Sequence, residues 1–493
     1  YQKQLNYHLY APPLPHSSNQ HPHQLAINSF FLPASIRETL QKKSAAILQG
    51  PTYEVARTPE DLGVYHSLVV IDAPHHHSAH ISKVFLTPSW IYKASCSLDG
   101  KAYCLLRIEG VHLKQGQGEV AIGQVERWRK IRHPSIVNVR EAFTTRAFGD
   151  HSIIFAFDYH PLSQSIHDEY LSGRKKSSLF SPSPADHLTK SNTTSRYHRH
   201  RQTNGNGREG LVDERVLWSY IVQISNAIRI VHKAQLAVRT IHPTKILLTG
   251  TNRVRINGCG ILDVIAYSPT PSVAELQEQD LIDLGKLICS IGSSIDCSSP
   301  NGHVLVQAIE YMQQFFSSDL HEVIKYLLKP PSSEQSMSRS IEGFMQLIWS
   351  KTLDEVTNVF NHNDLMEEYL MRELENGRLV RLMAKFGFIN ERPEFDHDPN
   401  WSETSERYVL KLFRDYVFHQ VDAQGKPVTD LSHVLTCLNK LDAGLDEKIM
   451  LVSRDEQTCA IVSYAEVGRP FSSLYFSMMF HRCGFGSFFR FVG

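Results

Sequence analysis

The chain has 493 residues, and its 51 Lys plus Arg balance 51 Asp plus Glu, so the formal net charge at pH 7 is zero. That balance provides no global field for a polyanion or an anionic membrane, and the length fits about three domains of roughly 150 residues. The eight cysteines form no C-x-x-C pair, no N-terminal signal peptide is evident, and no uncharged apolar run reaches spanning length, so the composition predicts a soluble cytoplasmic protein with reduced thiols.

Residues 1–28 are rich in Pro, His, Asn and Gln and read as a disordered arm. In an N-terminal extension over 29–74, FFLPASIRETLQKKSAAIL (30–48) predicts a short amphipathic helix. Ser35 is its N-cap, Glu38 completes an S-x-x-E box, and Ile36, Leu40 and Ile47 form the apolar side. The histidine run DAPHHHSAH (72–80) reads as a solvated loop rather than a metal site. Strand-like alternation begins near residue 66 and includes YCLLRIEG (103–110). QVERWRKIRHPSIVNVREAF (124–143) reads as a helix end, a turn and a strand, and DYHPL (158–162) closes the first lobe.

Residues 172–210 are rich in Ser, Pro, Asn and Gly and read as a disordered insert. The insert carries eight Lys or Arg against two acids, which permits RNA contact, although a solvated loop is the preferred reading. Helical periodicity resumes at 213–234, followed by VRTIHPTKILL (238–248), RINGCGILD (255–263) and DLIDLG (280–285). Beyond 340, Leu353, Val356 and Phe360 have coiled-coil spacing, and after NHND (361–364) the pattern resumes with Leu365, Met366, Tyr369, Leu370 and Leu374. Asp364 with Glu367 forms a capping box there, so the helix is expected to break or kink. A small α-rich segment begins near Lys385.

Taken in order, these segments fit a protein-kinase frame from which the chemistry is missing. Against the template H-R-D-L-x-x-x-N, the catalytic aspartate position holds Thr240 and the metal-binding asparagine position holds Lys245. Gly258 replaces the magnesium aspartate, and Leu106 replaces the strand lysine with Arg107 beside it. Gln124, or alternatively Glu126, stands where a helix glutamate belongs. No G-x-G-x-x-G cover for phosphates precedes the helix, whereas Asp280 and Gly285 match a later helix of the frame. The fold expected is α+β: a two-lobed pseudokinase at 75–345, a coiled coil at 346–384 and a C-terminal knob at 385–493.

Three blocks together resemble the pseudokinase regulatory subunit of the poly(A)-nuclease deadenylase. They are FFLPASIRETLQKKS, the degenerate frame around VRTIHPTKILL and INGCGILDVI, and NGRLVRLMAKFGFINERPEF with WSETSERYVLKLFRDYVFHQV. The resemblance implies a homodimer that recruits a catalytic exonuclease subunit to poly(A) RNA bound by poly(A)-binding protein. The family's CCCH zinc finger and its motif for poly(A)-binding protein are not found in these residues, and the aromatic tail 480–493 departs from the pattern. The resemblance also implies ATP bound but not hydrolysed. The carried-over contacts fall on Arg107, on Asp158, Tyr159, His160, Pro161, Leu162, Ser163, Gln164 and Ser165, and on Thr244 and Lys245, with the lysine supplying the charge that Mg²⁺ gives an active kinase.

Two other functions are weighed against the adaptor. An active kinase of unorthodox chemistry would need a new carboxylate, and Asp263 is the nearby candidate. A stand-alone RNA-binding protein conflicts with zero net charge and with the lack of a recognisable RNA-binding module. If the capping box bends one of two paired helices, the dimer is asymmetric and takes a single nuclease subunit.

Overall fold

The computed structural model describes residues 32–50, 58–71, 80–111, 118–172, 212–267, 272–298, 302–329, 339–395, 397, 405–455 and 457–469. The predicted arm, nearly all of the insert and the aromatic tail lie outside the described residues. Two compact units divide the chain, one over Glu38–Val359 and the other over Tyr1–Arg37 with Phe360–Gly493. No helix among the described residues is long and apolar enough to cross a membrane.

Helix α1 (Ala34–Leu48) starts before Ser35, so the expected N-cap lies inside the helix, and the Glu38 carboxylate pairs with Lys42. An antiparallel sheet follows, built from β1 (Asp61–Leu62), β2 (Tyr65–Val70), β3 (His80–Ile81), β4 (Pro88–Cys96), β5 (Ala102–Glu109), β6 (Val139–Thr145) and β7 (Ser152–Asp158). Its order is β1-β2-β4-β5-β7-β6, with β3 on β4. The first lobe therefore starts near residue 61 rather than 75. β1 and β2 precede the histidine run, and the alternation that begins near residue 66 falls on β2, which the sheet pairs with β4.

Alternate side chains of a strand face opposite sides, and both sides of this sheet are covered. Leu106, Ile108, Ile153 and Phe155 join the main core with Val125 and Trp128 of helix α2 (Gly118–Arg129). Leu105, Ile154 and Ala156 join a smaller core with Tyr65, Tyr92 and Ala94. β8 (Gln164–Ser165) leads into a single π turn at His167–Leu171.

The second lobe is helical. Helix α3 (Glu214–Lys233) is capped by Asp213, whose carboxylate accepts the Arg215 N–H, and buries Leu217, Ile221, Ile224, Ile228 and Val231 at helical spacing. Next come the hairpin of β9 (Ile246–Gly250) and β10 (Arg253–Ile256), the short α4 (Ile261–Ile265) and α5 (Val273–Ser293). Helices α6 (Gly302–Phe315), α7 (Ser318–Leu328) and α8 (Ile341–Leu347) complete the lobe.

Helix α9 (Trp349–Phe395) is 47 residues long and continuous through 361–364. The expected break is therefore absent. Asp364 and Glu367 are ordinary exposed helix positions, which removes the sequence reason for expecting one bent copy in a dimer. The coil-to-knob boundary at 384/385 also falls inside this helix. Leu379, Leu382, Phe386 and Ile389 already belong to the knob core, which packs on Phe413 of α10 (Ser405–Phe418), Leu438 of α11 (Leu431–Ala443), and the β11 (Lys448–Val452) and β12 (Cys459–Ser463) hairpin.

Candidate functional site

The loop that aligns with a kinase's catalytic-base motif is held by a buried carboxylate. Asp280, 1% exposed on α5, accepts the backbone N–H groups of Val238 and Arg239 at 2.7 Å each and lies 2.9 Å from His232 Nε2. Arg239 takes a positive φ of 60° at this point. The side chains on this scaffold nevertheless cannot perform the chemistry. Thr240 is buried with its Oγ1 3.8 Å from Cys259 Sγ. Asp263, the candidate replacement carboxylate, accepts from Trp128 Nε1 at 2.7 Å and pairs with Arg239 at 2.9 Å, so it braces α2 against the loop. Gln124 donates to the Val120 carbonyl of its own helix and Glu126 pairs with Arg129, and neither carboxylate or amide is bonded to β5.

Arg107 is not in the cleft, which corrects the expectation drawn from its position beside Leu106. Its register partners are Trp90 and Ile154, so it shares the sheet face of Leu105 and the smaller core, opposite to Leu106 and α2. There its Nε donates to Ser152 at 2.9 Å, its Nη2 meets Asp150 at 2.8 Å and Glu109 at 3.1 Å, and its guanidinium lies 4.1 Å from the centre of the Phe148 ring. Adjacent strand residues point in opposite directions, so a cation at 107 cannot substitute for one at 106.

The remaining candidate residues line the connection between the lobes. Asp158 ends β7 with its carboxylate taken by Arg140 at 2.6 Å and Asn138 at 3.0 Å, and its N–H donates to the Asn138 carbonyl at 3.0 Å. The Tyr159 and His160 N–H groups have no acceptor among the described residues. Pro161 and Leu162 turn the chain, with Leu162 at φ 57°, and the Ser163 N–H returns to the His160 carbonyl at 3.4 Å. Gln164 and Ser165 pair with Leu248 and Leu247 of β9, and the Ser165 hydroxyl donates to Asp168. Thr244 donates its N–H to His242 Nδ1 at 3.2 Å. The Lys245 ammonium sits 4.3 Å from the centre of the Phe85 ring. Residues 158–165 thus form the connection between the lobes, and Phe85 packs against Lys245 of the second lobe.

Sequence reading also missed how the extension meets this unit. Lys93, 4% exposed on the sheet face of Cys104, donates to the Ile47 and Gln49 carbonyls at the C-terminal end of α1, and Lys43 donates to the Thr249 carbonyl at 2.9 Å. Burial pushes the ammonium of each lysine below its usual range, with Arg255 adding to the shift at Lys43.

Burial, with smaller contributions from nearby cations, pushes His133, His160 and His242 down to about 4. The unfolded chain takes up these protons near 6.5, whereas the folded chain resists until about 4. Acidification through that window therefore favours unfolding, and nothing is gained or lost above about 7. Thermal melts are expected to be flat from pH 8 to 7 and to fall between pH 6.5 and 4.5. A melting temperature that holds steady to pH 4.5 would show that these imidazoles ionise in place.

Residues 341–478 match the Pan3 C-terminal knob domain. The chain is 44% identical over 480 residues to the "PAN2-PAN3 deadenylation complex subunit PAN3" of Coccidioides immitis, covering 97% of this chain and 67% of that protein. It is 43% identical over 475 residues to the protein of the same name from Cryptococcus neoformans, covering 94% of this chain and 65% of that protein, so it spans just under two thirds of that relative's length. Among solved structures, it resembles a chain of the complex of Neurospora crassa PAN2 (WD40-CS1) with PAN3 (pseudokinase and C-term), at 35% identity and a TM-score of 0.75, covering 91% of this chain and 100% of that one. The Drosophila melanogaster PAN3 pseudokinase is similar at 34% identity and a TM-score of 0.68, covering 85% and 100%. A kinase scaffold with its catalytic groups replaced, leading through one long helix into a knob, places the chain in the PAN3 family.

Proposed function

We propose that the chain is a non-catalytic regulatory subunit of a cytoplasmic poly(A)-specific deadenylase. It pairs with a second copy of itself and recruits a catalytic exonuclease subunit to poly(A) mRNA, with poly(A)-binding protein as a further partner of the assembly. The relatives named as PAN2-PAN3 complex subunits support this reading. The observation that carries it is the joint loss of chemistry at Leu106, Gly258, Thr240 and Lys245, the last two on a loop still anchored by Asp280. Phosphoryl transfer depends on charge neutralisation and positioning: Leu106 and Gly258 offer no charged or ligating group, the Lys245 ammonium repels Mg²⁺, and the Thr240 hydroxyl cannot accept the substrate proton as a carboxylate does.

ATP is the cofactor we assign to the cleft, bound without turnover. Residues 158–165 would hold the base through open backbone groups, and Lys245, with Thr244 beside it, would face the phosphates. When bound, the nucleotide would supply negative charge that ties the two lobes together through this lysine. Reversing that charge opposes the phosphates at short range, where a unit charge is worth several kcal/mol at an effective dielectric of about 20. Lys245→Glu is therefore expected to weaken ATP binding by about a hundredfold or more in isothermal titration, with an unchanged circular dichroism spectrum. Wild-type protein that shows no heat of ATP binding overturns the nucleotide assignment, and transfer of γ-phosphate to any substrate overturns the non-catalytic one.

A further inference from the structure

The segment between β2 and β4 is where a kinase carries its glycine-rich cover for the phosphates. Here the described part of that segment, Ser82 to Thr87, forms a tight turn instead. The Ser82 N–H donates to the Thr87 carbonyl at 3.2 Å, and the Leu86 N–H returns to the Ser82 carbonyl at 2.8 Å. The Ser82 hydroxyl accepts the Val84 and Phe85 N–H groups at 3.3 and 3.2 Å. Leu86 takes a φ of 55° with its side chain in solvent, and Lys83 reaches Asp296 of the helical lobe at 3.6 Å.

This turn drives Phe85 into the main core, where it is 4% exposed. Its ring contacts the two positions that would hold magnesium in an active kinase. The Lys245 ammonium lies 4.3 Å from the ring centre, and a Cβ built on Gly258 would come within 2.9 Å of Phe85 Cζ. Gly258 is thus more than a missing aspartate. Any side chain there would collide with the ring, so the loss of the metal ligand and the entry of the aromatic are one steric arrangement. Gly258 also has a φ of 77°, which other residues rarely adopt.

We propose that Phe85 and the 82–87 turn are a built-in gate on the phosphate half of the cleft. A nucleotide triphosphate can seat its phosphates on Lys245 only by expelling the Phe85 ring. The gate rests on the nucleotide reading above. It makes the apparent affinity the intrinsic affinity multiplied by the fraction of molecules with the ring out. The turn would then report nucleotide occupancy at the face where Lys83 meets Asp296.

The test compares ATP binding to the full chain and to Phe85→Ala by isothermal titration, and follows amide hydrogen exchange of residues 82–87 in the unmodified chain with and without ATP. Expected are affinity at least about tenfold tighter in the variant, and faster exchange in the turn of the unmodified chain when ATP is added. The exchange measurement needs no substitution, so it stands even if the variant folds poorly. Equal affinities together with an unchanged or more protected turn overturn the gate and leave nucleotide binding intact. Binding by neither protein removes the nucleotide reading and the gate with it.

Discussion

Asp280→Ala is expected to destabilise the kinase-like unit by about 3–5 kcal/mol. The carboxylate is 1% exposed and satisfies two backbone N–H groups and one imidazole nitrogen. Removing it strands the Val238 and Arg239 donors in the core, at a bend where Arg239 already holds a positive φ. Asp280→Asn keeps one oxygen acceptor of similar shape and should lose less. Urea denaturation followed by far-ultraviolet circular dichroism measures both. A loss below about 1 kcal/mol for the alanine variant would mean that the loop is held by its own packing.

Charged residues at Phe360 and Leu370 are expected to abolish the homodimer proposed above. Leu353, Phe360 and Leu374 recur at multiples of seven along α9, with Val356 and Leu370 on the neighbouring row. In the single chain these side chains are largely in solvent, with Phe360 at 65% and Leu370 at 70%. A helix with an apolar seam that its own chain leaves uncovered gains by packing that seam against a copy of itself. Phe360→Glu with Leu370→Glu places like charges across the seam, and the mass by light scattering should halve at about 100 μM. Since both positions are exposed within one chain, the melting profile of the kinase-like unit should persist. A wild-type monomer at that concentration, or a variant that remains dimeric, contradicts the seam.

The two expected results differ in how far each was readable in advance. The seam on α9 depends on spacing within one helix, and spacing is a property of the sequence. The continuity of that helix through 361–364 was not readable, because a capping box and an ordinary exposed helical turn share the same letters. Only the packing of Leu379, Leu382, Phe386 and Ile389 against α10 and α11 shows that the knob begins before the helix ends.

The cleft divides along the same line. The replacements at Leu106, Thr240, Lys245 and Gly258 follow from motif order and local spacing, and the match of Asp280 to its helix was visible too. Sequence alone therefore determined that the chain has a kinase frame, that its catalytic groups are gone, and that a knob follows a long helix. Which strand face carries the core under α2, and hence that Leu106 points toward it and Arg107 away, was decided by what the rest of the chain packs on each side. Only the tertiary structure places Phe85 against both Lys245 and Gly258. These residues meet across two lobes, and such a contact is set by the packing of the whole unit rather than by any local propensity.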